Sequence, residues 1–171
     1  MPDLKPVFTT LRLIVRRWHP EDLTPLVQVY GDAEAMRYVG NGQPIAEAAC
    51  KQWITTTLDN YRKRGYGMYA LVEAGTKTVI GFAGLVHPGG RPEPEVKYAL
   101  LRSYRGQGFA TEAVSGLLRY ARDELGLARI IATTHPENTP SHRVLTKVGM
   151  TRGERVVEKD ESETLIFRWQ G

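Results

Sequence analysis

Cysteine is nearly absent: Cys50 stands alone in 171 residues. A lone cysteine closes no internal disulfide, so the fold must rest on its core, and a reducing, cytoplasmic setting is the expectation. No apolar run approaches the roughly 20 residues of a membrane-spanning helix. The opening residues, MPDLKPVFTT, mix Pro, Asp and Lys and carry no sustained apolar stretch, so no secretory leader and no membrane partner are expected. A strong charge of one sign is missing too. Lys and Arg number 23 against 19 Asp and Glu, a formal net charge of +4. That balance suits an anionic small molecule and is too weak to argue for nucleic acid, and no aromatic–basic array supplements it. His19, His87, His135 and His142 show no metal-ligand spacing with Cys50, so no metal is expected.

What is present is ordinary for a soluble globular domain: 42% hydrophobic and 25% charged residues, without repeats or low-complexity tracts. A single domain over 1–171 is the expectation. Residues 11–18, LRLIVRRW, read as a strand with imperfect alternation. His19-Pro20-Glu21-Asp22 reads as a helix start, with Leu23, Leu26, Val27 and Tyr30 on one face and Gly31 as the stop. Asp32 is placed to cap a short helix through Tyr38, followed by a loop at 40–44. From 45 to 64, apolar residues recur every three or four positions, as a helix requires. Runs at 68–73 and 79–87 read as strands of a hairpin, and PGGRPEP at 88–94 as a loop. A strand at 95–101, a helix from about 110 to 125, a strand at 129–134 and a helix at 141–148 closed by Gly149 follow. Two strands, about 150–158 and 163–169, end the chain. The strand–helix–strand order around 95–134 implies a parallel pair with a right-handed crossover. The short-linked strands around it imply antiparallel neighbours. The fold class is therefore mixed α/β (α+β).

Between the strand at 95–101 and the next helix lies YRGQGFATEA, 104–113. A glycine turn there exposes N–H groups at a helix N-terminus, where the macrodipole favours an anion. Arg105 adds a full charge and Thr111 a hydroxyl. A Walker-type phosphate loop needs GxxxxGK followed by Ser or Thr, which is absent. A dinucleotide fingerprint needs GxGxxG and an acid at the end of the next strand, and RIIATT ends without one. Taken alone, the stretch remains open to a third kind of phosphate or to a turn with no ligand.

Arg105 to Ala110, R-G-Q-G-F-A, resembles the Q/R-x-x-G-x-G/A pyrophosphate loop of the GNAT N-acetyltransferase superfamily. The segment PENTPSHRVLTKVGM, 136–150, resembles the N-x-x-S-x-x-V-L-x-K-x-G-F/M segment of the branch that includes ribosomal-protein N-terminal (alanine/serine) acetyltransferases. Asn138, Ser141, Val144, Leu145, Lys147, Gly149 and Met150 match in type and spacing. The T-x-R-L-x-x-R string from Thr10 to Arg16 and YGDAEAMRYVG at 30–40 are similar to the same branch. The resemblance implies the GNAT fold: a mostly antiparallel sheet of about seven strands with a central splayed parallel pair and helices on both faces. It implies acetyl-CoA as co-substrate and a primary amine, on a protein N-terminus or a small molecule, as acceptor. A homodimer is the assembly considered.

By the same resemblance, Arg105, Gly106, Gln107, Gly108, Phe109 and Ala110 cradle the pyrophosphate, supported by Thr111. Tyr98, Ala99 and Leu100 pair with the pantetheine amides as a strand edge does with a peptide. Asn138 contacts the pantetheine arm, and Arg143 and Lys147 meet the nucleotide phosphates. Asn138 or Ser141 also stands where a helix cap belongs. Many family members carry a tyrosine acid at the position of Leu145, which cannot serve. Ser141 is then the nearest hydroxyl for the leaving thiolate. Glu95, at the start of the strand running to the thioester, is the candidate base, with water as its rival. A backbone N–H near Leu100 is the oxyanion donor. The acceptor side is expected from residues 30–66 and the tail strands, with Tyr38, Trp53, Tyr61 and Tyr66 as its aromatics, most of them core. The missing tyrosine leaves a second reading open, a CoA-binding module without turnover.

Overall fold

The computed structural model describes residues 5–38 and 42–171. Parts of the loop at 40–44 and of the segment 30–40 lie outside the described residues. Strands β1 (Pro6–Thr9) and β2 (Leu13–Arg17) lead through a 3₁₀ turn, Pro20–Asp22, to helices α1 (Leu23–Tyr30), α2 (Ala33–Met36) and α3 (Glu47–Arg64). Then come β3 (Met68–Glu73), β4 (Val79–Val86), β5 (Glu95–Leu100), α4 (Phe109–Asp123), β6 (Arg129–Thr134), α5 (Thr139–Lys147), β7 (Thr151–Val157) and β8 (Glu163–Gln170). They form one eight-stranded sheet in the order β1-β2-β3-β4-β5-β6-β8-β7.

The extra strand over the seven expected is β1. Its four residues are half-buried or exposed and too short to carry a period. The imperfect alternation of β2 has a physical cause. Leu13 and Val15 face the core, and Arg16 is buried as well, because both of its terminal nitrogens donate to the buried Asp22 carboxylate at 2.8 and 2.9 Å. The helix start expected at His19 is the 3₁₀ turn, and the α-helix proper begins at Leu23. Asp32 caps α2 by accepting from the Glu34 N–H at 2.9 Å.

Central strands β3 and β4 are apolar runs covered on both faces, as the middle of a sandwiched sheet demands. One face carries α4 and α5 over a core that includes Leu71, Leu85, Leu117, Leu145 and Phe167. The other carries α1 to α3 over Trp18, Leu26, Tyr30, Ile54 and Phe82.

β5 positions the site. It holds six registered pairs with β4, from Gly81↔Leu100 to Val86↔Glu95. With parallel β6 the one registered pair among the described residues is Glu95↔Ile131, beside a bond from the Ile131 N–H to the Pro94 carbonyl at 3.0 Å. Beyond that point the strands part. β6 turns its other edge to β8 through six pairs, and the β5 edge from Val96 to Leu100 is left facing a wedge.

Candidate active site

The glycine loop closes one end of the wedge. Gly106 and Gly108 have φ of +71° and +82°, left-handed values that side chains rarely adopt. Gly108 is the N-cap of α4, and the first intrahelical bond runs from the Glu112 N–H to the Gly108 carbonyl at 3.0 Å. The N–H groups of the first turn therefore point outward with the positive end of the helix dipole. A Cβ built on Gly106 would meet no atom within 4 Å, so the loop is an open cradle. Arg105 donates from Nε to the Leu100 carbonyl at 3.3 Å, tying the loop to the end of β5. From the β1–β2 turn, Arg12 donates from Nη1 to the Gln107 carbonyl at 3.0 Å and lies 4.0 Å over the Phe109 ring.

Above this cradle the wedge is a cavity of about 670 Å³. Tyr98, Ala99 and Leu100 form its strand side, the loop its floor, and α5 its far side with Asn138, Ser141, Arg143 and Lys147. Asn138 is the N-cap of α5, accepting at Oδ1 from the Ser141 N–H at 3.3 Å, so the cap falls on Asn138 rather than on Ser141. Its amide nitrogen remains able to donate into the cavity.

A second cavity, about 730 Å³, adjoins the first. Arg37, Tyr38, Tyr98, Asn138 and Ser141 line both. The second cavity adds an aromatic wall of Tyr30, Trp53 and Phe82, the cation Lys97, Asp160 from the β7–β8 connection and Glu163 at the start of β8. At the junction, the Tyr98 and Ser141 hydroxyls are 2.5 Å apart. Burial pushes the Tyr98 phenol up to about 12, and the bond to Ser141 works the other way.

Of the expected cofactor residues, all but Gln107 line the first cavity. Gln107 is turned elsewhere: its carbonyl accepts from Arg12 and its amide donates to the Ser103 carbonyl at 2.8 Å. Glu95 lines neither cavity. It is buried, its Oε1 accepting from the Thr133 hydroxyl and lying 3.8 Å from the Lys97 ammonium. Leu145 is fully buried.

Among the aromatics, Tyr38 and Trp53 line cavities, whereas Tyr61 is core: its hydroxyl accepts from the Trp18 N–H at 3.1 Å and donates to the Met68 carbonyl. Tyr66 bonds His87 at 2.7 Å. His135 packs its ring 5.2 Å from Tyr38 in the second cavity. Arg37, Lys97 and Asp160 were not legible as site residues, since they meet only through the fold. Among the described residues, no group of three His, Cys, Asp or Glu is placed to hold a metal ion, and no helix is long and apolar enough to cross a membrane.

Residues 12–151 match the model of the acetyltransferase (GNAT) domain. An uncharacterized N-acetyltransferase of Bacillus subtilis, YnaD, is 30% identical over 145 residues, covering 84% of this chain and 82% of that protein. The [ribosomal protein uS5]-alanine N-acetyltransferase of Escherichia coli is 27% identical over 152 residues, covering 84% and 77%. Among solved structures, the ribosomal L7/L12 alpha-N-protein acetyltransferase RimL in complex with coenzyme A superposes with a TM-score of 0.80 at 17% identity, covering 96% of each chain. The last is a likeness of fold. The family match spans most of the chain, over the splayed strands, the glycine cradle and α5 alike, and the protein belongs to the GNAT acetyltransferase family.

Proposed function

We propose that this chain, acting as one domain over 1–171, transfers the acetyl group of acetyl-CoA to a primary amine by direct attack within a ternary complex. The acceptor is a protein N-terminal α-amino group or a small-molecule amine. The observation that carries the reading is the meeting of two cavities at Tyr98 and Ser141, one ending on an anion cradle and the other open to an acceptor.

The residues present fit the co-substrate. The free β5 edge at Tyr98–Leu100 suits the amides of a pantetheine arm, which are spaced like a peptide's. Asn138 offers that arm an amide. The first turn of α4 and Arg105 suit a pyrophosphate, and Arg143 and Lys147 on the facing helix suit the nucleotide phosphates. Ser141 is the partner of the leaving sulfur, and a backbone N–H near Leu100 serves the carbonyl oxygen. Glu95 reaches the site only through Thr133 and Lys97, so its part is to hold those two side chains. In the acceptor cavity, Arg37 and Lys97 oppose a polycation, and Asp160 and Glu163 favour a single amine. The aromatic wall receives an apolar group beside it.

The test is a titration of acetyl-CoA into the wild type and Arg105→Glu, with thiol release measured over a panel of amines and N-terminal peptides. Tight binding in the wild type, lost in Arg105→Glu, together with thiol release on at least one acceptor, is the expected result. Equal affinity in both proteins sinks the cradle. Binding with no release on any acceptor favours a CoA-binding module without turnover.

A further inference from the structure

We propose that the hydroxyls of Tyr98 and Ser141 form a proton relay that takes the proton from the attacking amine and delivers it to the departing sulfur. The relay rests on the acetyl-transfer reading above and gives that site its acid and base together. Tyr98 is on β5 and Ser141 in the first turns of α5, so the 2.5 Å contact spans the two walls of the wedge. Both residues line both cavities, which places the pair where the amine of one meets the thioester of the other.

Neither of the other two positions that the sequence raised for acid or base fills either role. Leu145, one turn beyond Ser141, is buried and carries no hydroxyl. The Glu95 carboxylate lies behind Thr133 and Lys97. A hydroxyl, unlike a carboxylate, donates and accepts at once. A proton can therefore enter one end of the pair while another leaves the far end.

The balance is complete without a further reactant. The neutral amine nitrogen forms its bond to the thioester carbonyl carbon, and the C–S bond breaks with its electron pair on sulfur. The nitrogen gives its surplus proton to Tyr98 Oη. The Tyr98 proton passes to Ser141 Oγ, and the Ser141 proton passes to sulfur. The products are an amide and a neutral thiol, and both hydroxyls end as they began. Neither side chain has to hold a charge. That matters because burial disfavours a phenolate at Tyr98, so this tyrosine serves poorly as a standing base and well as a neutral conduit.

Tyr98→Phe and Ser141→Ala test the relay, with Ser141→Thr as the conservative variant that keeps the hydroxyl. Each of the first two is expected to lower kcat by about 100-fold, the range of a lost general acid or base. Acetyl-CoA affinity, read by fluorescence titration, should change little. The double variant should fall no further than the worse single one, because members of a relay act as a unit. Ser141→Thr should restore most of the rate. In the protein without co-substrate, the tyrosine ¹³Cζ resonance missing from Tyr98→Phe should shift in Ser141→Ala. Losses that multiply in the double variant, near wild-type turnover in either single one, or an unmoved resonance would overturn the relay. If Tyr98→Phe turns over normally, the relay alone fails. A wild type that binds acetyl-CoA but acetylates nothing overturns the acetyl-transfer reading, and the relay with it.

Discussion

Arg12 and Glu112, a hundred residues apart, lock the glycine cradle to the far end of the sheet. Arg12 donates from Nε to Glu112 Oε2 at 2.7 Å, while its own backbone N–H and the Thr10 hydroxyl both donate to Oε1 at 2.6 Å. The same guanidinium reaches the Gln107 carbonyl and covers the Phe109 ring. One side chain thus holds the loop by its carbonyl, the first turn of α4 by its carboxylate, and the first helical ring by its face. Drawing the Gln107 carbonyl toward Arg12 holds the loop's shape, and the N–H groups of the first helical turn remain directed at the cavity.

Arg12→Ala should therefore weaken acetyl-CoA by about tenfold, the worth of about one charge-assisted hydrogen bond. The discriminating measurement uses acetyl-pantetheine, which lacks the pyrophosphate. Its affinity should stay near that of the wild type if Arg12 acts through the cradle. An equal loss for both ligands would mean that Arg12 serves the fold at large.

Glu112 also makes stability depend on pH. Burial works to raise its carboxyl, but the bonds from Thr10 and Arg12 outweigh burial and hold it below the ordinary value of 4.5. A carboxyl depressed in the folded state contributes stability that is fully present above its unfolded value. That contribution fades as pH falls through the folded value. Urea midpoints of the wild type should drop between neutral pH and about pH 3 more steeply than those of Glu112→Gln. Parallel curves would show that the carboxylate contributes nothing to the acid limb.

Much of this site was readable from local residue types. Gly106 and Gly108 are required by positive φ, Asn138 by a cap, and the strand before the loop by its apolar run, and each of these constraints lies within a few residues of the site it builds. Arg12 stood inside a string that pointed to the family, yet its task was hidden because its partners are at 107, 109 and 112. Residues from 30–66 and from the tail line the second cavity, but which of their side chains meet there was hidden for the same reason. Arg37, Lys97 and Asp160 come from three distant segments, and Trp53 shares a helical face with core residues while one side of it reaches the cavity wall. The burial of Glu95 was hidden by a register effect. It opens β5 where the strand is still paired with β6, and pairing buries it there.

The buried pair of Arg16 and Asp22 is the next point of leverage. Both side chains are almost fully enclosed, and the Asp22 carboxylate also accepts from the His19 N–H at 2.8 Å. Asp22→Ala strands a guanidinium whose Nε already lacks a partner among the described residues. A loss of about 3–5 kcal/mol is expected from urea unfolding. Replacing both residues with apolar ones, Arg16→Met with Asp22→Leu, should recover most of it, because no buried charge remains. A double variant as unstable as the single one would show that packing, and not the orphaned charge, sets the cost.

Gly81 tests whether the wedge depends on the exact path of β5. It is paired with Leu100, and a Cβ built on it would lie 2.1 Å from the Ala99 carbonyl oxygen and 3.0 Å from the Leu100 Cα. Backbone cannot swing aside as a flexible side chain can, so Gly81→Ala must push β5 at the residues that face the pantetheine site. A stability loss of about 1–3 kcal/mol is expected, as for other overpacked positions. Acetyl-CoA affinity should fall with it, although residue 81 lines neither cavity. Gly75→Ala, whose Cβ would meet nothing within 4 Å, is the matched control and should change neither quantity. If Gly81→Ala loses stability while binding acetyl-CoA as the wild type does, the strand edge is not what positions the co-substrate, and the cradle of α4 carries that task alone.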